Sequence, residues 1–252
     1  MDLIVNGVRE ALISLFGGDP EVYQVTFLTL KISGLATLIS LFLGIPAGVF
    51  LALRNFPGRG FIISLVNTGM GLPPVVVGLW VSILLWRYGP LGFLGLMYTP
   101  AAMVIAQAVI ATPIVTGFTI AAVQQIKPQL RLQILALGAS RRQYMWLLMR
   151  EARLPLLAAV IAGFGGVVSE VGASMMVGGN VKGYTRVLTT ATVMEVSKGN
   201  FAAAIALSVI LLLLAYGVTL LLTLLQQQGE TTASGHRGNR LLNFMGKRQK
   251  SR

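Results

Sequence analysis

The chain has 252 residues, 55% of them hydrophobic and only 11% charged, with a mean hydropathy of +0.76. A water-soluble domain carries roughly 25% charged residues, so an ordinary soluble enzyme, a disordered chain and a nucleic-acid-binding domain are excluded. Twenty Lys and Arg against eight acids give a net charge of +12, which in so apolar a chain reads as a topology signal.

Residues 1–20 are interrupted by Asp2, Arg9, Glu10 and Asp19, while Ile4, Val8, Ala11, Leu12 and Leu15 recur at helical spacing. That pattern predicts a short amphipathic helix at the membrane interface, ended by Gly17-Gly18-Asp19-Pro20. With no basic stretch ahead of an apolar core, it does not read as a cleaved signal peptide. A bilayer core about 30 Å thick needs roughly 20 apolar helical residues. Five runs meet that requirement, near 24–53, 61–86, 100–124, 156–177 and 201–225. The expected organisation is one all-α membrane domain over 21–228, then a basic tail over 229–252 expected to be disordered.

Several spans carry breaking signals. Gly71-Leu72-Pro73-Pro74 falls inside the second. Two consecutive prolines remove two backbone donors, and irregular backbone at membrane depth must face protein or a water-filled cavity. Pro73 and Pro74 are therefore candidates for a translocation pathway, with Thr112-Pro113 in the third span and Pro46 in the first as further weak points. A packing kink is the alternative at each. In the fourth span Glu170 is the sole acid well inside an apolar run, with Ser174 one turn beyond. An intramembrane acid is a functional candidate by default, yet a carboxylate is a poor oxyanion ligand. Pairing with Lys31, Lys182 or Arg186, or gate closure, is the expectation. Small residues Ala158, Ala162, Gly163, Gly166, Ser169 and Gly172, like Gly44 and Gly48 in the first span, predict close helix packing.

The longest polar connection, 124–155, is no linker. Leu130, Ile134 and Leu137 give a short helix one apolar stripe, and Gly138 can end it in a left-handed cap. Ala139 and Ser140 then lead into a second helical stretch through Trp146, and Pro155 suits the opening turn of the fourth span. Such a projection is one that another protein can grip.

This connection, the 54–60 turn and the tail hold fourteen of the basic residues, against six on the opposite side, where six of the eight acids also lie. The basic side is expected to be cytoplasmic, with the N-terminus outside and the C-terminus inside. The tail suits anionic lipid, at about 1 kcal/mol per basic residue near the surface, better than nucleic acid. There is no cysteine, and the single His236 lies in the tail, so no metal site and no catalytic residue is expected. No Gly-x-x-x-x-Gly-Lys-Ser/Thr phosphate loop occurs, so ATP hydrolysis would belong to a partner.

The run Leu137-Gly138-Ala139-Ser140, a basic helical stretch and Leu154-Pro155 resemble the EAA loop of ABC importer permeases. Two departures stand out: Leu132-Gln133-Ile134 replaces the family's Glu-Ala-Ala, and Leu-Pro comes about one helical turn late. Pro73-Pro74, Glu170-Val171-Gly172-Ala173 and Gly178-Gly179-Asn180 are similar to permeases of the molybdate/tungstate/sulfate group. The run 183–191, Gly-Tyr-Thr-Arg-Val-Leu-Thr-Thr-Ala, resembles the tungstate branch most.

The resemblance, covering 22–225, implies a MetI/ModB-like ABC importer permease fold. It implies a homodimer in the inner (cytoplasmic) membrane importing an oxyanion, tungstate first, with molybdate or sulfate as alternatives. It also implies two kinds of protein partner. A cytoplasmic ABC ATPase dimer using ATP and Mg would dock on the 130–140 coupling segment. An extracytoplasmic oxyanion-binding protein would dock near Arg87, Lys182, Tyr184 and Arg186. A reading from another class, an ion-coupled carrier or channel without ATP, would need coupling-ion ligands at the midplane, and only Glu170 approaches that.

Overall fold

The computed structural model describes residues 5, 7–9, 11, 13 and 17–249, with side chains up to Gln227. Most of the expected interfacial helix, including Ile4, Leu12 and Leu15, lies outside the described residues. Ala11 is described, and it is buried in a cluster with Val25, Leu188 and Ile210.

Helix α1 covers Pro20–Leu53, begun by Asp19, whose carboxylate accepts the Glu21 N–H at 2.9 Å. Its 34 residues reach about 51 Å at 1.5 Å each, well beyond the bilayer core. Next come α2 (Arg59–Met70), α3 (Pro74–Leu85), a single 3-10 turn at Gly92–Leu94 and α4 (Pro100–Gln124). The 124–155 connection holds α5 (Pro128–Ala136) and α6 (Arg141–Glu151). Helices α7 (Arg153–Val168), α8 (Gly172–Gly178), α9 (Leu188–Ser197) and α10 (Phe201–Gln249) complete the order. The described backbone of α10 continues into the basic tail, whose side chains lie outside the described residues. Among the described residues there is no β-strand.

By length and composition, α1, α4 and Phe201–Gln227 of α10 can each cross a membrane alone. Five crossings result when α2 with α3, bent by 101°, and α6 with α7, bent by 67°, each count as one. The expected fourth span, 156–177, is thus not one helix; it begins at Arg153 and is interrupted at 169–171.

The centre is the α1–α4 seam. A Cβ on Gly44 would lie 2.8 Å from Val115 Cγ1, and one on Gly48 would lie 2.6 Å from Thr119 Cβ. Only glycine permits that approach, as the small-residue pattern anticipated. The buried hydroxyls at this seam are satisfied locally. Thr37 donates to the Ser33 carbonyl and Thr119 to the Val115 carbonyl, each at 2.7 Å, so no polar atom of theirs is left bare in an apolar layer. Gly163 of α7 packs against Val115 from the other side, 3.0 Å from its Cγ2 to the Cβ position.

Two of the anticipated weak points are corrected. Pro46 and Pro113 both sit inside continuous helices. In α4, Thr112 donates to the Ala108 carbonyl at 2.6 Å and Thr116 to the Thr112 carbonyl at 2.7 Å. Neither hydroxyl reaches the Val109 carbonyl, the one that Pro113 leaves without its N–H; the turns on either side stay bonded and α4 continues through the proline. Pro113 also fits against Gly69 of α2, 2.8 Å from its Cβ position.

Candidate functional site

Two helix breaks define the membrane part of the site. The first lies at Gly71–Pro73, where α2 ends and Pro74 opens α3 in the first-turn position that tolerates a missing N–H. The second lies at Ser169–Val171, between α7 and α8. They meet. A Cβ on Gly172 would stand 2.6 Å from Val75 Cγ2, and one on Gly78 would stand 2.7 Å from the Ala173 Cα. The interrupted second and fourth spans therefore pack together just beside their breaks, an adjacency the sequence did not indicate.

Pro73 is exposed and Pro74 half-buried, and Gly71, Leu72, Val75 and Val76 are exposed around them. The pathway candidates of the fourth span face inward instead. Glu170 is buried, and its Oε1 accepts the Ala173 N–H at 2.8 Å. Its backbone carbonyl accepts the Thr189 hydroxyl at 3.0 Å. The carboxylate thus supports the start of α8, and the expected pairing with Lys182 or Arg186 is corrected, because both bind Glu21. Ser174 is fully buried and accepts Gln107 Nε2 at 3.1 Å. Thr112 and Pro113 are half-buried within α4. Of the six pathway candidates, only Pro73 and Pro74 stand at the exposed side of a break.

On one end of the bundle, α5 ends in a full Schellman arrangement. Gly138 takes φ +74°, its N–H reaches the Leu135 carbonyl at 3.0 Å, and the Ala139 N–H reaches the Ile134 carbonyl at 3.4 Å. Ser140 then opens α6 with a capping box: its hydroxyl accepts the Gln143 N–H at 3.4 Å while Gln143 Oε1 accepts the Ser140 N–H at 2.8 Å. Ile134 is buried and Leu130 half-buried, but Leu137 is 87% exposed. Leu137 leaves the anticipated stripe because it is the C-cap, where the chain turns away from the helix axis. What the corner offers is a different apolar group, Leu132, Leu135 and Leu137, all exposed. Sequence spacing found the inward stripe; the outward one was present as i, i+3 leucines and went unread.

At the opposite end, residues 178–187 form a stapled loop. Gly179, Asn180 and Gly183 all hold positive φ, at 69°, 51° and 73°. Thr185, fully buried, donates to the Gly178 carbonyl at 2.6 Å and accepts the Val181 N–H at 2.9 Å. This is what the Gly183-Tyr184-Thr185-Arg186 run encodes. Lys182 Nζ lies 2.7 Å and Arg186 Nη1 3.4 Å from the Glu21 carboxylate, and Gln24 donates to the Gly183 carbonyl at 3.1 Å. Glu21 was missed, since nothing local links it to positions 161 residues away. Tyr184 and Arg87 remain exposed, Arg87 lying 6.0 Å from the Tyr88 ring centroid. At the end of α9, Lys198 and Asn200 donate to Glu195 at 2.9 and 3.0 Å. The Lys198 hydrogen bond holds that carboxyl below its ordinary value. No group of three or more His, Cys, Asp or Glu able to hold a metal occurs among the described residues.

An all-helical bundle of long apolar spans, two of them broken side by side, with a capped projection at one end, defines a multi-pass membrane transport component. The chain belongs to the family of binding-protein-dependent transport system inner membrane components, which matches residues 44–228. The tungstate uptake system permease protein TupB of Peptoclostridium acidaminophilum is 39% identical over 228 residues, covering 90% of this chain and 100% of that one. A probable anion ABC transporter permease protein of Haloferax volcanii is 40% identical over 203 residues, covering 79% and 88%. The molybdenum transport system permease protein ModB of Escherichia coli K12 is 30% identical over 213 residues, covering 78% and 93%. The inward-facing MetNI methionine ABC transporter shares the fold, with TM-score 0.70 at 21% identity over 83% of this chain and 96% of that one.

Proposed function

We propose that this chain is the permease subunit of an ABC importer for a tetrahedral oxyanion of the tungstate/molybdate kind, tungstate foremost. The observation that carries the reading is the pair of adjacent helix breaks in a chain whose relatives bear tungstate and molybdenum uptake names. Discontinuous helices give a small ion backbone dipoles at membrane depth without a fixed charge. The 61–86 segment carries no Lys or Arg, which suits a pathway that must release a dianion quickly.

Two copies form the pathway, with the N-terminus outside and the C-terminus in the cytoplasm. A separate ATPase, using ATP and Mg, engages the Leu132, Leu135 and Leu137 corner. The family's Glu is absent there, so the contact is apolar, and about 1–2 kcal/mol is at stake for each leucine that seats in a pocket. A binding protein delivers the anion to loops 87–99 and 178–200. Alternating access then follows from rocking the α5–α6 projection against the spans.

Reconstitution with the co-purified ATPase tests this reading. ATP-dependent tungstate uptake is expected, with molybdate a competitor and sulfate a weak one. Uptake without ATP that follows an imposed ion gradient would instead establish a secondary carrier.

A further inference from the structure

We propose that the cavity between the end of α1 and α6 binds one anionic phospholipid of the surrounding membrane. The cavity holds about 790 Å³, within the range of roughly 300–1,000 Å³ typical of small-molecule sites. One wall is α1 from Ile45 to Leu53; the facing wall is Tyr144, Met145 and Met149 of α6. Its charged residues are Arg54 and Arg141, and no acid lines it.

Both arginines are exposed, and neither guanidinium has a hydrogen bond or ion pair among the described residues; Arg54 bonds only through its backbone N–H, to the Phe50 carbonyl at 3.0 Å. Three other arginines on that side are committed, while Arg142 lies outside the cavity lining. Arg59 donates to the Leu51 carbonyl at 2.7 Å, Arg131 donates to the Val123 carbonyl, and Arg150 lies 5.3 Å over the Trp146 ring. Arg54 is the first residue past the last turn of α1, so it stands where a membrane-crossing helix meets water. Helix α6 turns 67° from α7 and closes the cavity from the side. A phosphodiester accepts paired N–H bonds from a guanidinium, and the half-buried Tyr144 adds a hydroxyl donor. Below them, Val49, Met145 and Met149 offer an apolar slot, and unbranched methionine adapts to a flexible acyl chain.

Charge decides for a lipid over a second copy of the chain. The basic side of the molecule holds only Glu151 and Glu230 of the eight acids, so another copy brings little to match Arg54 and Arg141. Anionic headgroups are abundant at that depth, and basic pockets beside membrane helices hold them.

Native mass spectrometry of the purified complex, titrated with phosphatidylglycerol or phosphatidylcholine of the same acyl chains, tests the site. Phosphatidylglycerol should be retained in preference, as a single adduct per chain. Arg54→Gln with Arg141→Gln should weaken it by on the order of tenfold, and Met145→Trp, which fills the slot, should displace both lipids. Arg142→Gln, outside the cavity, should change nothing. Inorganic phosphate at matched concentration should not compete, because it lacks the chain.

Equal retention of the two lipids, competition by phosphate alone, or equal loss with Arg142→Gln would each overturn the proposal. So would a disulfide between copies through a single cysteine at Met149, which would put a second chain over the cavity. If the double variant does not elute as the wild type does, the wild-type lipid ratio and Met145→Trp decide.

Discussion

Gly138 sits at φ +74° with nothing within 4 Å of its Cβ position, so space is available there and backbone strain is not avoidable. A β-branched residue in that conformation costs about 1–2 kcal/mol, while asparagine is tolerated. Gly138→Val is expected to twist the α5–α6 corner, lowering transport and ATPase recovery in pull-down, with membrane insertion unchanged; Gly138→Asn should behave as wild type. A valine variant with full ATPase recovery would remove the corner from the docking surface. Glu170 poses a different question, whether its charge or its oxygen matters. Gln keeps an acceptor for the Ala173 N–H, whereas Ala orphans a buried donor at about 1–3 kcal/mol. Glu170→Gln should transport normally and Glu170→Ala should melt several degrees lower. Loss of transport in the glutamine variant with an unchanged melting temperature would give the charge a direct role in passage.

At the scale of elements, the 178–187 loop is tied to α1 by Glu21. Lys182 is 67% and Glu21 46% exposed, and the more buried Arg186 meets the same carboxylate only at 3.4 Å, so the exposed Lys182 pair is worth at most about 1 kcal/mol and the long Arg186 contact adds little. Glu21→Gln should therefore barely move the melting temperature. If the 178–187 loop is the proposed docking face, Glu21→Gln should still change binding-protein affinity at low salt, by releasing Lys182 and Arg186 from the carboxylate, and less so at high salt. Identical affinity at both ionic strengths would separate this loop from docking. The spans themselves were legible because run length against bilayer thickness is a local property, and Gly138 and Ser140 because caps are local too. The sequence marks Pro113 as a weak point, but a proline in a long helix costs the one bond to the carbonyl four residues earlier, and its ring packs against Gly69 of α2 while α4 runs on unbroken. The Val75–Gly172 approach and the Glu21–Lys182 pair join distant segments, and no periodicity in one sequence announces such contacts.

The whole molecule leaves long apolar faces uncovered, on α1 at Phe27, Leu38 and Phe42 and on α3 at Val75 and Trp80. Lipid suits the first, since α1 is a continuous helix whose mid-helix backbone groups, apart from the Phe42 carbonyl that Pro46 leaves without its N–H, bond within it. It suits the second poorly, because the Gly71 and Leu72 carbonyls near Val75 take no hydrogen bond among the described residues, and bare backbone in hydrocarbon costs several kcal/mol per group. Water or a second copy must cover that face. Since the chain has no cysteine, single cysteines can report which. In the proposed dimeric pathway, cysteines at Gly71, Leu72, Pro73, Val75 and Val76 should react with a water-soluble thiol reagent, and their reactivity should shift when the ATPase binds nucleotide. Val77 is 7% exposed within the core shared with Ala173, so a cysteine there should stay protected in every state. Protection at all six positions would mean that lipid or tight packing closes the break, and the pathway would have to run elsewhere. Reactivity at Val77 equal to that at Val75 would mean instead that α3 does not stay packed on α8, and the side-by-side breaks would not hold in the membrane.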